Sequence, residues 1–144
     1  MANKKIKNAT TTKFAGITFK SALEVRIYKA LKTEGIDAEY EKHTYTLSPK
    51  VVSTKPFYNR TPAKGFHRIQ GTIQAITYTP DFTFKLNDVF VILEVKGFEN
   101  DVFPIKRNLF RKYLEKVKYP VMYFEIRTKK ELMEALKEVK NYVP

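Results

Sequence analysis

Apolar residues after Ser21 recur at helical spacing: Leu23, Ile27, Ala30 and Leu31 fall on one face and Gly35 ends the run. Ser21 suits an N-cap and Glu24 stands at the capping-box position, which predicts a helix over about Ser21–Glu34. Residues 36–47 alternate well enough for a strand. Residues 48–71 lose that order and hold Pro49, Pro56, Pro62, Gly65 and Gly71, so a long loop or bridge is expected, with at most a short strand. Thr72–Phe84 is β-branched and aromatic, broken by Pro80. Residues 88–96 are apolar enough for a central strand, and Leu86-Asn87-Asp88 turns one strand into the other as a hairpin. Pro104 opens a basic helix expected over 104–118 with Ile105, Leu109, Tyr113 and Val117 inward. Residues 120–127 read as a strand, and Thr128 with Glu131 caps a last helix bearing Leu132, Leu136 and Val139. The expected order is α-β-β-β-α-β-α, an α/β fold in one domain over 14–144, with residues 1–13 as a flexible basic arm.

Charge narrows the partners. The net charge is +12 over 144 residues, a field that gathers polyanions, with nucleic acid ahead of an anionic membrane or a structural role. Residues 48–71 contain Lys50, Lys55, Arg60, Lys64 and Arg68 and no acid. The second helix carries Lys106, Arg107 and Arg111, with Glu115 its only acid, so a phosphate-contacting face is favoured there and the 48–71 cations are a second choice. The absence of cysteine excludes disulfides, zinc–thiolate sites and thiol nucleophiles. With no apolar run of membrane-spanning length and no apolar signal core, a cytoplasmic protein is expected. A membrane-surface role lacks a long basic amphipathic helix with exposed Trp or Phe anchors.

Chemistry concentrates in Asp81 and in Glu94-Val95-Lys96. Strand side chains alternate, so Glu94 and Lys96 share a face, and the hairpin can bring Asp81 alongside. Two carboxylates with the Val95 carbonyl can hold one or two hard divalent cations, magnesium or its substitute manganese. Lys96 beside them can orient water or offset phosphoryl charge. A charged pair at the end of an apolar strand needs a reason, and a carboxylate between Tyr78 and Phe82 is poorly favoured on structural grounds alone. Glu24 is equally a helix cap or a ligand by pattern. His43 and His67 are too scattered for an HNH-type site. Asn100 and Asp101 are expected to cap the second helix, and Glu99 is given no role.

The pattern Pro80-Asp81 followed by Glu94-Val95-Lys96 resembles the PD-(D/E)xK nuclease superfamily. With Ser21-Ala22-Leu23-Glu24, Glu39-Tyr40-Glu41 and Tyr78-Thr79-Pro80-Asp81-Phe82, the chain from about Phe19 to Arg111 is similar to the bacteriophage endonuclease I family of junction resolvases and to related small phage nucleases. The resemblance implies a restriction-endonuclease-like mixed sheet flanked by helices. It also implies Asp81, Glu94 and Glu24 as metal-binding and catalytic carboxylates, Lys96 as the catalytic lysine, and magnesium or manganese as cofactor. The partners implied are four-way or branched DNA and a second copy in a strand-exchanged homodimer; a phage origin would place the protein in a bacterial host cell. The segment 48–71 is longer and more basic than that family's bridge, which leaves dimer geometry and substrate shape open. Competing readings are a sequence-specific or nicking endonuclease on duplex DNA and a non-catalytic nucleic-acid-binding module.

Overall fold

The apolar run Val89–Val95 forms the middle of the molecule. The structure is a computed structural model that describes residues 10–97 and 99–144. In chain order its elements are β1 (Thr12–Phe14), β2 (Ile17–Phe19), α1 (Ala22–Thr33), β3 (Glu39–Tyr40), β4 (Tyr45–Ser48), β5 (Val51–Val52), β6 (Tyr58–Thr61) and β7 (Gly65–Arg68). There follow β8 (Thr72–Ile73), β9 (Ile76–Tyr78), β10 (Phe82–Leu86), β11 (Val89–Val95), α2 (Phe103–Leu114), β12 (Val121–Ile126) and α3 (Lys129–Lys140). The fold is mixed α/β.

The main sheet runs β12-β11-β10-β3. β11 pairs antiparallel with β10 and parallel with β12, and β10 pairs antiparallel with β3. The parallel pair needs a crossover, which α2 supplies. Because strand side chains alternate, β11 is buried on both sides. Val91, Leu93 and Val95 join Phe82 and Phe84 under α1 and α3, meeting Leu31, Leu136 and Val139. Ile92 faces the other way, into a smaller cluster with Tyr78, Phe103 and Phe110 beneath α2. The turn between β10 and β11 has Asn87 and Asp88 at φ 52° and 59°, the left-handed pair of a tight two-residue hairpin that Asn favours. Asn87 also donates from Nδ2 to the carbonyls of Val139 (2.9 Å) and Tyr142 (3.1 Å), tying the turn to the end of α3.

Several expectations change. The strand expected over 36–47 is two strands in two places. β3 joins the main sheet and β4 pairs with β9; the chain turns at Glu41, whose φ is 49°. Alternation reports that residues are extended, not which partner they choose. The loop expected over 48–71 is a ribbon instead. β4 pairs with β9, β5 with β8 and β6 with β7, all antiparallel, so residues 45–78 fold back on themselves as one interrupted arm. Bonds from Ser53 N to Gly71 O (2.9 Å) and Ile69 N to Phe57 O (2.8 Å) join its parts. Pro49, Pro56 and Gly71 lie between paired stretches rather than abolishing them.

The second helix starts at Phe103 and stops at Leu114, short of the expected 118. Its inward stripe is Phe103, Arg107, Phe110 and Leu114; Ile105 and Tyr113, expected inside, are exposed. Asn100 caps it by accepting from the N–H groups of Val102 and Phe103. Thr12 and Lys13, assigned to a flexible arm, pair with Phe19 and Thr18 in the β1–β2 hairpin. Residues 1–9 of that expected arm lie outside the described residues. Among the described residues no helix is long and apolar enough to cross a membrane.

Candidate metal and catalytic centre

Two helices carry the same capping signature and resolve it differently. At α3, Thr128 accepts from Glu131 N and the Glu131 carboxylate reaches back to Arg127 N (3.0 Å). At α1, Ser21 likewise accepts from Glu24 N (3.2 Å), but the Glu24 carboxylate turns inward. It accepts from the Ser21 hydroxyl (3.1 Å) and the Tyr40 hydroxyl (2.5 Å) and is buried. Glu24 therefore belongs to an interior polar cluster, not to the helix end alone.

That cluster forms where β3, β10 and α1 meet. Carboxylate oxygens of Glu24, Glu41 and Asp81 all lie within 4.8 Å of one another. Asp81 precedes β10; its Oδ2 accepts from Val95 N (2.7 Å) and its carbonyl accepts from Glu41 N (2.9 Å). The second bond accompanies the positive φ at Glu41, which turns that residue out of β3 beside Asp81. Lys20 pairs with Glu41 at 2.5 Å.

Beyond the last paired residues, Phe82 and Leu93, the register sets Asp81 opposite Glu94. Glu94 accepts from the Tyr78 hydroxyl (2.5 Å) and from Lys96 Nζ (3.4 Å). Lys96 is buried and its ammonium stands over the Phe103 ring. Beside it, Arg107 binds both Glu125 oxygens (2.6 and 2.7 Å) and also Glu99. Tyr123 joins the network, its hydroxyl 3.2 Å from that of Tyr78 and donating to Glu125 at 3.0 Å.

Burial sets the protonation chemistry. It raises the Asp81 carboxyl well above its ordinary range, and the charges of Glu94 and Glu24 add to the rise against the Val95 N–H bond. Burial also raises Glu94, although Tyr78 and Lys96 pull the other way. Burial lowers the Lys96 ammonium against the opposing charge of Glu94. Burial and the Glu94 charge push the Tyr78 hydroxyl far upward, so it stays a neutral donor. At Glu125 burial is outweighed by Arg107, and the carboxyl is lowered.

The donor set fits a hard divalent cation. Glu24, Glu41 and Asp81 bring three carboxylates together beside the Lys20 ammonium, with the Glu94–Lys96 pair adjoining them. Oxygen ligands in this arrangement suit magnesium or manganese.

Of the residues singled out in the sequence, Glu24 and Asp81 come together directly, and Glu94 and Lys96 form the adjoining pair. Val95 gives its N–H to Asp81. Glu41, Tyr40 and Tyr78 stand in the motifs of the resemblance without an expected role, and Lys20 and Glu125 are additions from the structure. Glu41 directly follows β3, and its signal in the sequence is its place in the Glu39-Tyr40-Glu41 motif of the resemblance, as that of Tyr78 is its place before Pro80-Asp81. Arg107, expected to face phosphate, has its guanidinium committed to Glu99 and Glu125, which also gives Glu99 a partner. Arg111 is exposed and Lys106 half-buried on α2, while Lys50, Lys55, Arg60, Lys64 and Arg68 are all exposed along the arm.

Fold and site together define an α/β protein with a buried carboxylate–lysine centre at the end of its main sheet. A family model described as a protein of unknown function (DUF1064) matches residues 4–130, and the chain belongs to that family. Comparison with curated proteins and with solved structures finds no match.

Proposed function

We propose that the protein is a magnesium- or manganese-dependent endonuclease that hydrolyses DNA phosphodiesters, selective for four-way or branched DNA and acting as a homodimer. The observation that carries this reading is the meeting of Glu24, Glu41 and Asp81 beside the Glu94–Lys96 pair at one end of the sheet. Setting aside the β1–β2 hairpin and the arm, the elements run α1-β3-β10-β11-α2-β12-α3, the succession α-β-β-β-α-β-α. It supports a restriction-endonuclease-like architecture.

Glu24, Glu41 and Asp81 would hold the ion, with Glu94 and the Val95 carbonyl as further candidate ligands. Such an ion supplies Lewis acidity, offsetting charge on a phosphoryl oxygen and acidifying water. The protein's own part is positional. Val95 N–H aims Asp81, Tyr40 and Ser21 aim Glu24, and Tyr78 aims Glu94. Lys96, held by Glu94, presents a cation to orient water or offset phosphoryl charge. Its lowered proton affinity brings a base role within closer reach than for a solvated lysine. The homodimer is supported by exposed Val51 and Ile73, which lie opposite one another on the arm, an aliphatic pair that a second copy can cover.

The test is digestion of a synthetic four-way junction and its separate linear arms with magnesium or manganese. Paired, symmetric cuts near the branch point in the junction alone are expected. Asp81→Asn and Glu94→Ala should bind DNA and not cut it. Equal cutting of the linear arms would remove the branch selectivity; absence of cutting on every DNA tested would remove the enzyme.

A further inference from the structure

The arm ends in an unusual surface. In the β6–β7 hairpin Tyr58 lies opposite Arg68 and Arg60 opposite Phe66. Directly opposed residues, and residues two apart on one strand, share a face. Tyr58, Arg60, Phe66 and Arg68 therefore stand together on one side as a two-by-two checkerboard of rings and guanidinium groups. All four are exposed, Tyr58 at 53% and Phe66 at 69%. On the opposite side Thr61, Gly65 and His67 are half-buried and Asn59 is exposed. The two rings lie 5.9 Å apart with planes 24° from parallel, stacked on one another, and both stay largely open to solvent.

A diagonal ring pair stabilises a hairpin locally, but that role does not require both rings to remain largely exposed, nor two arginines on the same face. Charge identifies the occupant. From Lys42 through Pro80 the chain has no Asp or Glu and six Lys or Arg: Lys42, Lys50, Lys55, Arg60, Lys64 and Arg68. An exposed, near-parallel ring pair flanked by guanidinium groups matches a ligand with both π-faces and phosphates. In duplex DNA the base faces are stacked on one another; in unpaired strands they are free.

We propose that the arm tip is a stacking platform for unpaired nucleotides, with Tyr58 and Phe66 taking base faces and Arg60 and Arg68 the flanking phosphates. This rests on the reading that nucleic acid is the substrate, and narrows it to nucleic acid with a single-stranded portion. It does not depend on catalysis.

The test is binding in metal-free buffer with EDTA, where cutting plays no part. A dye-labelled thymidine oligonucleotide and a blunt duplex of equal length are titrated with wild type and Tyr58→Ala/Phe66→Ala, following anisotropy. Each ring removed should weaken oligonucleotide binding by about tenfold, the order expected of base–aromatic stacking, with the duplex little changed. The chain has no tryptophan, so Tyr58→Trp adds a single reporter that stacking should quench with the oligonucleotide and not with the duplex. Unchanged oligonucleotide affinity, equal loss on both DNAs, or an unquenched tryptophan overturns the proposal. So does a tryptophan signal that follows protein concentration without DNA, which would assign the rings to a contact between two copies. Quenching without junction cleavage would remove the enzyme reading alone; cleavage without quenching would remove the platform alone.

Discussion

Asp81 sits where ionisation is costly. Burial raises its carboxyl well above the ordinary 3.8, and neighbouring carboxylates add to the rise. The folded protein therefore holds that proton more tightly than the unfolded chain, and stability falls as pH rises from the ordinary carboxylate range through the folded value. In metal-free buffer Asp81→Asn keeps an oxygen acceptor for Val95 N–H and drops the charge. It should melt higher than wild type near pH 7, with the gap closing below about pH 4, where the carboxyl is protonated in both states. A gain of 1 kcal/mol would read as about 3 °C in a domain of this size. Added magnesium should raise wild type and leave Asp81→Asn unmoved; a variant that melts lower at neutral pH would contradict the assigned shift. Glu41 makes a parallel case. Glu41→Gln keeps shape and loses a charge from the triad, so calorimetric titration with manganese should show affinity reduced by about tenfold or more, the scale seen even for groups that only support ligands.

At the scale of elements, capping separates structure from site. Ser21→Ala and Thr128→Ala each remove an N-cap and should each cost about 1 kcal/mol in thermal or urea unfolding. Only Ser21→Ala also removes a hydroxyl from the Glu24 carboxylate, so only it should weaken manganese binding. Equal metal affinity in the two variants would return Glu24 to a capping role. The same comparison shows what was legible beforehand. Periodicity and caps placed α1, α3 and β11 closely, because those signals are local. Asp81, Glu94 and Lys96 stood out because charge in an apolar strand lacks a packing reason. Glu41 did not, because its position depends on a left-handed turn and on pairing between β3 and β10, neither of which is written in residues 36–47. The arm was hidden for a related reason: its strands are short, interrupted by proline and glycine, and recognisable only through partners as distant as Tyr78 from Tyr45. In α2, Phe103 and Phe110 take the inward stripe that periodicity assigns to Ile105 and Tyr113, because the two Phe rings pack with Tyr78 and Ile92.

Across the whole molecule, the net charge of +12 is unevenly available to a polyanion. Cations bound to carboxylates release no counterions when DNA arrives; free ones do, and log K falls with log salt by about 0.9 for each phosphate neutralised. Arg111 is exposed on α2, and Arg60 and Arg68 are exposed on the arm. Arg107 is tied to Glu125 and Glu99. Arg111→Ala should therefore flatten the salt dependence of duplex binding by about one phosphate and leave the melting temperature nearly unchanged. Arg107→Ala should do the reverse: little change in slope, and a loss of about 1–2 kcal/mol in stability, since Glu125 would lose its guanidinium partner in a partly solvated site. Glu125 lies in register with Glu94 on the adjacent strand, so freeing its charge should also strengthen the pull on Lys96. If Arg107→Ala instead flattens the slope as far as Arg111→Ala does, the guanidinium leaves its carboxylates for phosphate on binding, and the Glu99–Arg107–Glu125 network is a latch that DNA opens.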